Sequence, residues 1–122
     1  MLTACNKPKT IILFNQAPIT VDNFLNNSTK FVAGKRVYYL FITEIPLESD
    51  LIRIRVYKRD EKGDMAPTKV IYSNDFKLSQ EHQHYYYNDY IVIHDAGYYC
   101  MTIYALNKLD RPLAVADFQV TN

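Results

Sequence analysis

Residues 94–104 run HDAGYYCMTIY, and the reading of this stretch decides the fold. Asp95-Ala96-Gly97 is a turn signal, because Asp bonds to nearby backbone and Gly bends freely. The residues after it, Tyr98 to Leu106, are rich in aromatic and branched side chains that suit a pleated surface, so they read as a strand. Working outward, the same two-residue periodicity marks candidate strands at Thr10–Phe14, Ala17–Val21, Arg36–Thr43, Asp50–Arg59, Lys69–Leu78, Tyr85–His94 and Leu113–Val120. Turn residues separate them: Asn26-Asn27-Ser28, Gly34, Pro46, the Glu61-Lys62-Gly63-Asp64 corner with Pro67, and Asn107 through Pro112. No stretch carries a helical stripe. The chain therefore reads as all-β, with seven to eight short strands spaced as in a sandwich of two antiparallel sheets.

A chain of 122 residues fits one domain with a single core. We assign residues 10–122 to that domain and residues 1–9 to an N-terminal tether. With 48% hydrophobic and 22% charged residues the composition excludes disorder and repeat classes. Its unusual feature is aromatic, Tyr 11 and Phe 6 with Trp 0, which is the composition of tyrosine-covered strands. A formal net charge of +1 supplies no field that would gather nucleic acid, so none is expected as a partner. No apolar run approaches the roughly 18 to 20 residues that span a bilayer.

The stretch at 94–104 resembles the D-x-G-x-Y-x-C signature of immunoglobulin domains, through Asp95, Gly97 and Tyr99. The resemblance implies an immunoglobulin-like sandwich in which Tyr99 forms the tyrosine corner. It departs from the pattern at the cysteine, whose position is held by Met101. Cys100 comes one residue early, and a one-residue displacement in a strand turns the side chain to the opposite face. No cysteine occurs in Arg36–Thr43, where a partner would lie, and no Trp exists to pack on a bridge. The resemblance thus implies an apolar pin in place of the inter-sheet disulfide, with Ile54 in the place of the core Trp.

At the N-terminus, Leu2-Thr3-Ala4-Cys5 resembles the lipobox of bacterial lipoproteins, in which small residues before a Cys admit a signal peptidase and the thiol takes up diacylglycerol. Here Met1 directly precedes Leu2, without the basic and apolar regions of a signal peptide. The resemblance implies lipidation at Cys5, a membrane anchor, and a domain in the bacterial cell envelope, periplasmic or surface-facing. Asn6-Lys7-Pro8-Lys9 suits a short tether. Lipidation would exclude a Cys5–Cys100 disulfide, which is otherwise open.

Residues able to carry chemistry are few. In Leu51–Arg59, Ile52, Ile54 and Val56 face one way and Arg53, Arg55, Tyr57 and Arg59 the other, so one face is core and the other wet. Arg53, Arg55 and Tyr57 make a basic, aromatic stripe suited to a ligand, and Tyr87 offers a further ring for sugar stacking. His82 and His84 stand two apart, on one face if extended, with Glu81 and Asp89 nearby. Imidazoles so placed hold Zn²⁺ or Cu²⁺ when a third ligand converges. Ser28, Ser49, Ser73 and Ser79 lie in no nucleophile elbow, and Gly34, Gly63 and Gly97 make no phosphate-cradling loop. We expect no enzyme and no cofactor. The expectation is a non-catalytic protein-binding or structural domain of a lipid-anchored envelope protein, meeting a protein partner by a sheet face or by strand addition at Leu113–Val120 or Thr10–Phe14. The alternatives are a carbohydrate-binding module using exposed tyrosines and a metal-binding periplasmic domain.

Overall fold

Alternating branched and aromatic residues lay down nine strands among the described residues of the computed structural model, which cover 10–24, 26–44, 49–59, 69–82 and 84–122. They are β1 (Thr10–Asn15), β2 (Lys30–Val32), β3 (Arg36–Thr43), β4 (Leu51–Arg59), β5 (Lys69–Lys77), β6 (Ser79–Glu81), β7 (His84–Val92), β8 (Gly97–Ala105) and β9 (Ala114–Thr121). Two sheets result, of order β1-β3-β7-β6 and β2-β9-β8-β4-β5. All pairings are antiparallel except that of β2 with β9. The architecture is all-β and sandwich-like.

Inward residues of both sheets fill one core. Val37, Tyr39 and Phe41 from β3 meet Ile52, Ile54 and Val56 from β4 and Tyr99, Met101 and Ile103 from β8. Met101 and Ile54, expected as the apolar pin and its packing partner, are fully buried. Each such side chain contributes about 1.5 to 3 kcal/mol by leaving water. Aromatic contacts join the sheets at both sides of the core. On one, Phe14 of β1 packs on Phe118 of β9 at 5.0 Å and on Phe31 of β2 at 6.4 Å. On the other, Phe76 of β5 stacks on Tyr87 of β7 at 4.5 Å.

Two local features fix the chain at turns. The Tyr99 hydroxyl donates to the Asp95 carbonyl at 2.7 Å, tying the start of β8 to the turn before it. Gly34, between β2 and β3, has φ 83°, a left-handed conformation that suits a residue without Cβ.

The structure corrects three expectations. Ala17–Val21 is not a strand: the Asn23 side chain accepts from Thr20 N–H at 2.7 Å and donates to the Pro18 carbonyl at 2.9 Å, closing a turn. Such side-chain bonds compete with a ladder. The short β2 and β6 replace it, giving nine strands rather than seven or eight. Nor is β9 an open edge along its whole length, since β2 pairs in parallel with its Gln119–Thr121 end. The other proposed edge, β1, does lie at the rim of its sheet.

Candidate binding faces

Strand β4 positions Arg53, Arg55, Tyr57 and Arg59 on the outer face of the five-stranded sheet, because its inward set is committed to the core. Across the ladders stand Asp75 of β5, then Tyr98, Cys100, Thr102 and Tyr104 of β8, then Asp117 of β9. Cys100 and Thr102 are buried, the arginines and tyrosines half-buried, and the two aspartates exposed. Arg53 makes a bidentate pair with Asp75, at 2.7 and 3.1 Å, and the bond holds the Asp75 carboxyl below its ordinary range. Arg59 approaches Asp117 at 3.7 Å.

Arg55, at the middle of the strand, differs from both. Its guanidinium lies 5.4 Å from the centre of the Tyr104 ring, and no carboxylate of the described residues forms an ion pair with it. Beside it, burial pushes Tyr57 up, but a hydrogen bond from Tyr104 and the bond and charge of Arg55 outweigh that and leave its hydroxyl below the ordinary value. Tyr104, the donor, moves the other way, chiefly by burial. The three groups form one cluster on the outer face.

Arg53, Arg55 and Tyr57 are therefore brought together on one face, as their alternation implied. Tyr87 does not join them. It lies in the other sheet, its ring between Phe76 and Tyr39 and its hydroxyl donating to Asp89 at 2.9 Å. His82 and His84 do not share an extended segment, because the chain turns at His82 with φ 57° between β6 and β7. His84 Nε2 stands 3.2 Å from Glu44, and no group of three His, Cys, Asp or Glu among the described residues converges on a metal position. Cys5 lies outside the described residues. Cys100 is a free, buried thiol on the outer side of β8, pushed up to about 11 by burial and then by Asp117 beside it.

A second face escaped the sequence reading. On the four-stranded sheet, the outward residues are Ile11 and Leu13 of β1, Tyr38, Leu40 and Ile42 of β3, and Tyr86, Tyr90 and Val92 of β7, aligned by the ladder registers. Ile11, Tyr90 and Val92 are about 40% exposed, at 42%, 40% and 39%. The signal was present in the sequence: Arg36–Thr43 is apolar at both parities after Arg36 until Thr43, the pattern of a strand covered on both sides. Charge is confined to the ends of this face. Arg36 lies over Tyr90 at 4.3 Å at one end, and Glu44, Glu81 and His84 gather at the other.

No family model matches the chain, and no curated protein is similar to it.

Proposed function

We propose that this chain is an immunoglobulin-like domain acting as a non-catalytic protein-binding module, anchored through lipid on Cys5 in a bacterial envelope. Four features support the fold reading. The strand order pairs the first strand with one sheet and a short parallel strand, β2, with the last strand of the other. The Tyr99 bond to Asp95 has the form of a tyrosine corner. Met101 stands fully buried at the position where that family has its second cysteine, and Ile54 is buried opposite it in the place of the Trp.

The observation that carries the binding reading is Arg55, a guanidinium held over a ring at the centre of the sheet and lacking, among the described residues, the carboxylate that each neighbouring arginine has. Arg and Tyr are the residues that anchor protein interfaces, and a preordered cation loses little freedom on meeting an acidic side chain. The guanidinium already covers the Tyr104 ring, so on this face sugar stacking would fall to Tyr57. The partner is an envelope protein presenting a carboxylate to this face.

Two measurements test the reading. Purification from bacterial membranes after cross-linking should recover a protein with the wild-type chain and lose it with Arg55→Glu. Binding to polysaccharide that disappears with Tyr57→Ala would instead move the function to a carbohydrate module. For the anchor, intact mass of the membrane-extracted protein should show a chain beginning at Cys5 with added acyl mass. An unmodified soluble chain would remove it.

A further inference from the structure

We infer that the outer face of the four-stranded sheet is a self-association surface, occupied by the same face of a second copy with its strands running the opposite way. The face has the anatomy of an interface: an apolar centre of Leu13, Tyr38, Leu40, Ile42, Tyr86 and Tyr90 with charge only at its ends. Its inward-facing neighbours are already in the core, so among the described residues no strand or core residue covers this second apolar set.

Charge selects the occupant. The basic end carries Arg36, and the acidic end carries Glu44 and Glu81. Arg36 and Glu44 lie four positions to either side of Leu40 on the same outward parity. A two-fold axis crossing the strands at Leu40 therefore sets Arg36 of each copy against Glu44 of the other. The ladder carries the same symmetry sideways. Leu40 is in register with Leu13 and Asn88, so Leu13, Leu40 and Asn88 each meet their own twin on the axis. Tyr86 faces Tyr90 of the second copy, and Ile42 faces Tyr38. Twin Asn88 amides can exchange hydrogen bonds, since each holds both donor and acceptor. A hollow of about 390 Å³ beside Val32, Lys35, Arg36 and Tyr38 leaves space at the basic end for the incoming carboxylates. The parallel alternative, with the axis along the strands, leaves Arg36 and Glu44 without these opposite charges.

Size sets the strength. Strands of six, eight, nine and three residues, about 4.8 Å apart and ~3.3 Å per residue, project to about 400 Å² per copy, in the range of weak, transient interfaces. The dimer is accordingly concentration-dependent, with dissociation in the micromolar range or above.

Sedimentation velocity of the full chain from about 1 µM to 1 mM tests this, with circular dichroism to verify folding of each variant. Wild type should pass from monomer to dimer across that range. Leu40→Arg, which sets two guanidinium groups against each other on the axis, should stay monomeric. Arg36→Glu and Glu44→Arg should each weaken association at least about tenfold alone, and a mixture of the two should form heterodimer, because one variant then carries acid at both ends and the other base at both ends. Should Leu40→Arg not fold, the mixture alone decides. Monomer at every concentration overturns the inference, as does a dimer that persists in Leu40→Arg or single variants whose mixture is no tighter than either.

Discussion

One chemical edit, Tyr to Phe, should have opposite consequences at two buried rings. At Tyr99 the hydroxyl donates to the Asp95 carbonyl at 2.7 Å while the ring stacks on Phe118 at 5.6 Å. Tyr99→Phe keeps the stack and removes the bond, leaving a part-buried carbonyl without its donor, at a cost of about 1 to 2 kcal/mol. For a domain of this size that lowers Tm by roughly 4 to 8 °C. At Tyr39 the ring is 1% exposed and its hydroxyl meets no hydrogen-bond partner among the described residues. Burial has already driven that hydroxyl to hold its proton far above the ordinary range. Removing it relieves an uncompensated desolvation, so Tyr39→Phe should be neutral or stabilising by up to about 1 kcal/mol. Urea unfolding followed by far-ultraviolet circular dichroism measures both, with the slope expected unchanged and only the midpoint moving. Tyr99→Ala, which also loses the ring, should cost about 3 to 5 kcal/mol. The reasoning is refuted if the two Phe variants shift the midpoint in the same direction by similar amounts.

Gly34→Ala should destabilise by about 1 kcal/mol through backbone strain alone, because φ is 83° and a Cβ there would meet nothing within 4 Å; Gly34→Asn should cost less in the same urea titration. Cys100 should react with a thiol reagent at pH 8 at least about a hundredfold more slowly than an exposed cysteine, given burial and a thiol pushed up to about 11. Because the folded thiol ionises above the unfolded one, its contribution to stability is full below about pH 8.5 and lost as pH rises through about 11; unfolding midpoints at pH 8 and pH 10 should record a fall. Ile54→Ala should cost about 2 to 5 kcal/mol in the same assay, since the side chain is fully buried.

Strand positions were legible where side-chain chemistry and backbone demand agreed. β4 is the clear case: Ile52, Ile54 and Val56 against Arg53, Arg55 and Tyr57 left one assignment of faces, and it is the one observed. Ala17–Val21 misled because β-branched residues suggested a ladder, whereas Asn23 supplied a turn from six residues downstream of Ala17. β2 and β6 are three residues each, too short for periodicity to register. His82 and His84 looked like neighbours on one face only while the chain between them was taken as extended; a hairpin bend separates them. Whether Tyr87 pointed toward the Arg55 face was undecidable from alternation, which tells inside from outside within a sheet and not which of two sheets a strand joins.

The two outer faces answer opposite problems. On the five-stranded sheet, Arg53 and Arg59 meet carboxylates and Arg55 meets a ring, so that face stands in water at little cost and offers, at the middle of β4, a cation without an ion pair to any described carboxylate. On the four-stranded sheet no strand among the described residues covers the outward Leu40, Ile42 and Tyr86. Joining two copies through the second face leaves both Arg55 faces pointing away from each other. Three sheet-to-sheet spacings of about 10 Å separate them, roughly 30 Å in all. Opposed faces cannot grip one flat surface together, so the dimer gains no avidity on a single partner molecule. It bridges two. Leu40→Arg should therefore leave each Arg55 site intact and abolish only the capacity of the protein to hold two partner molecules in one complex, a stoichiometry that light scattering of the cross-linked species would read directly.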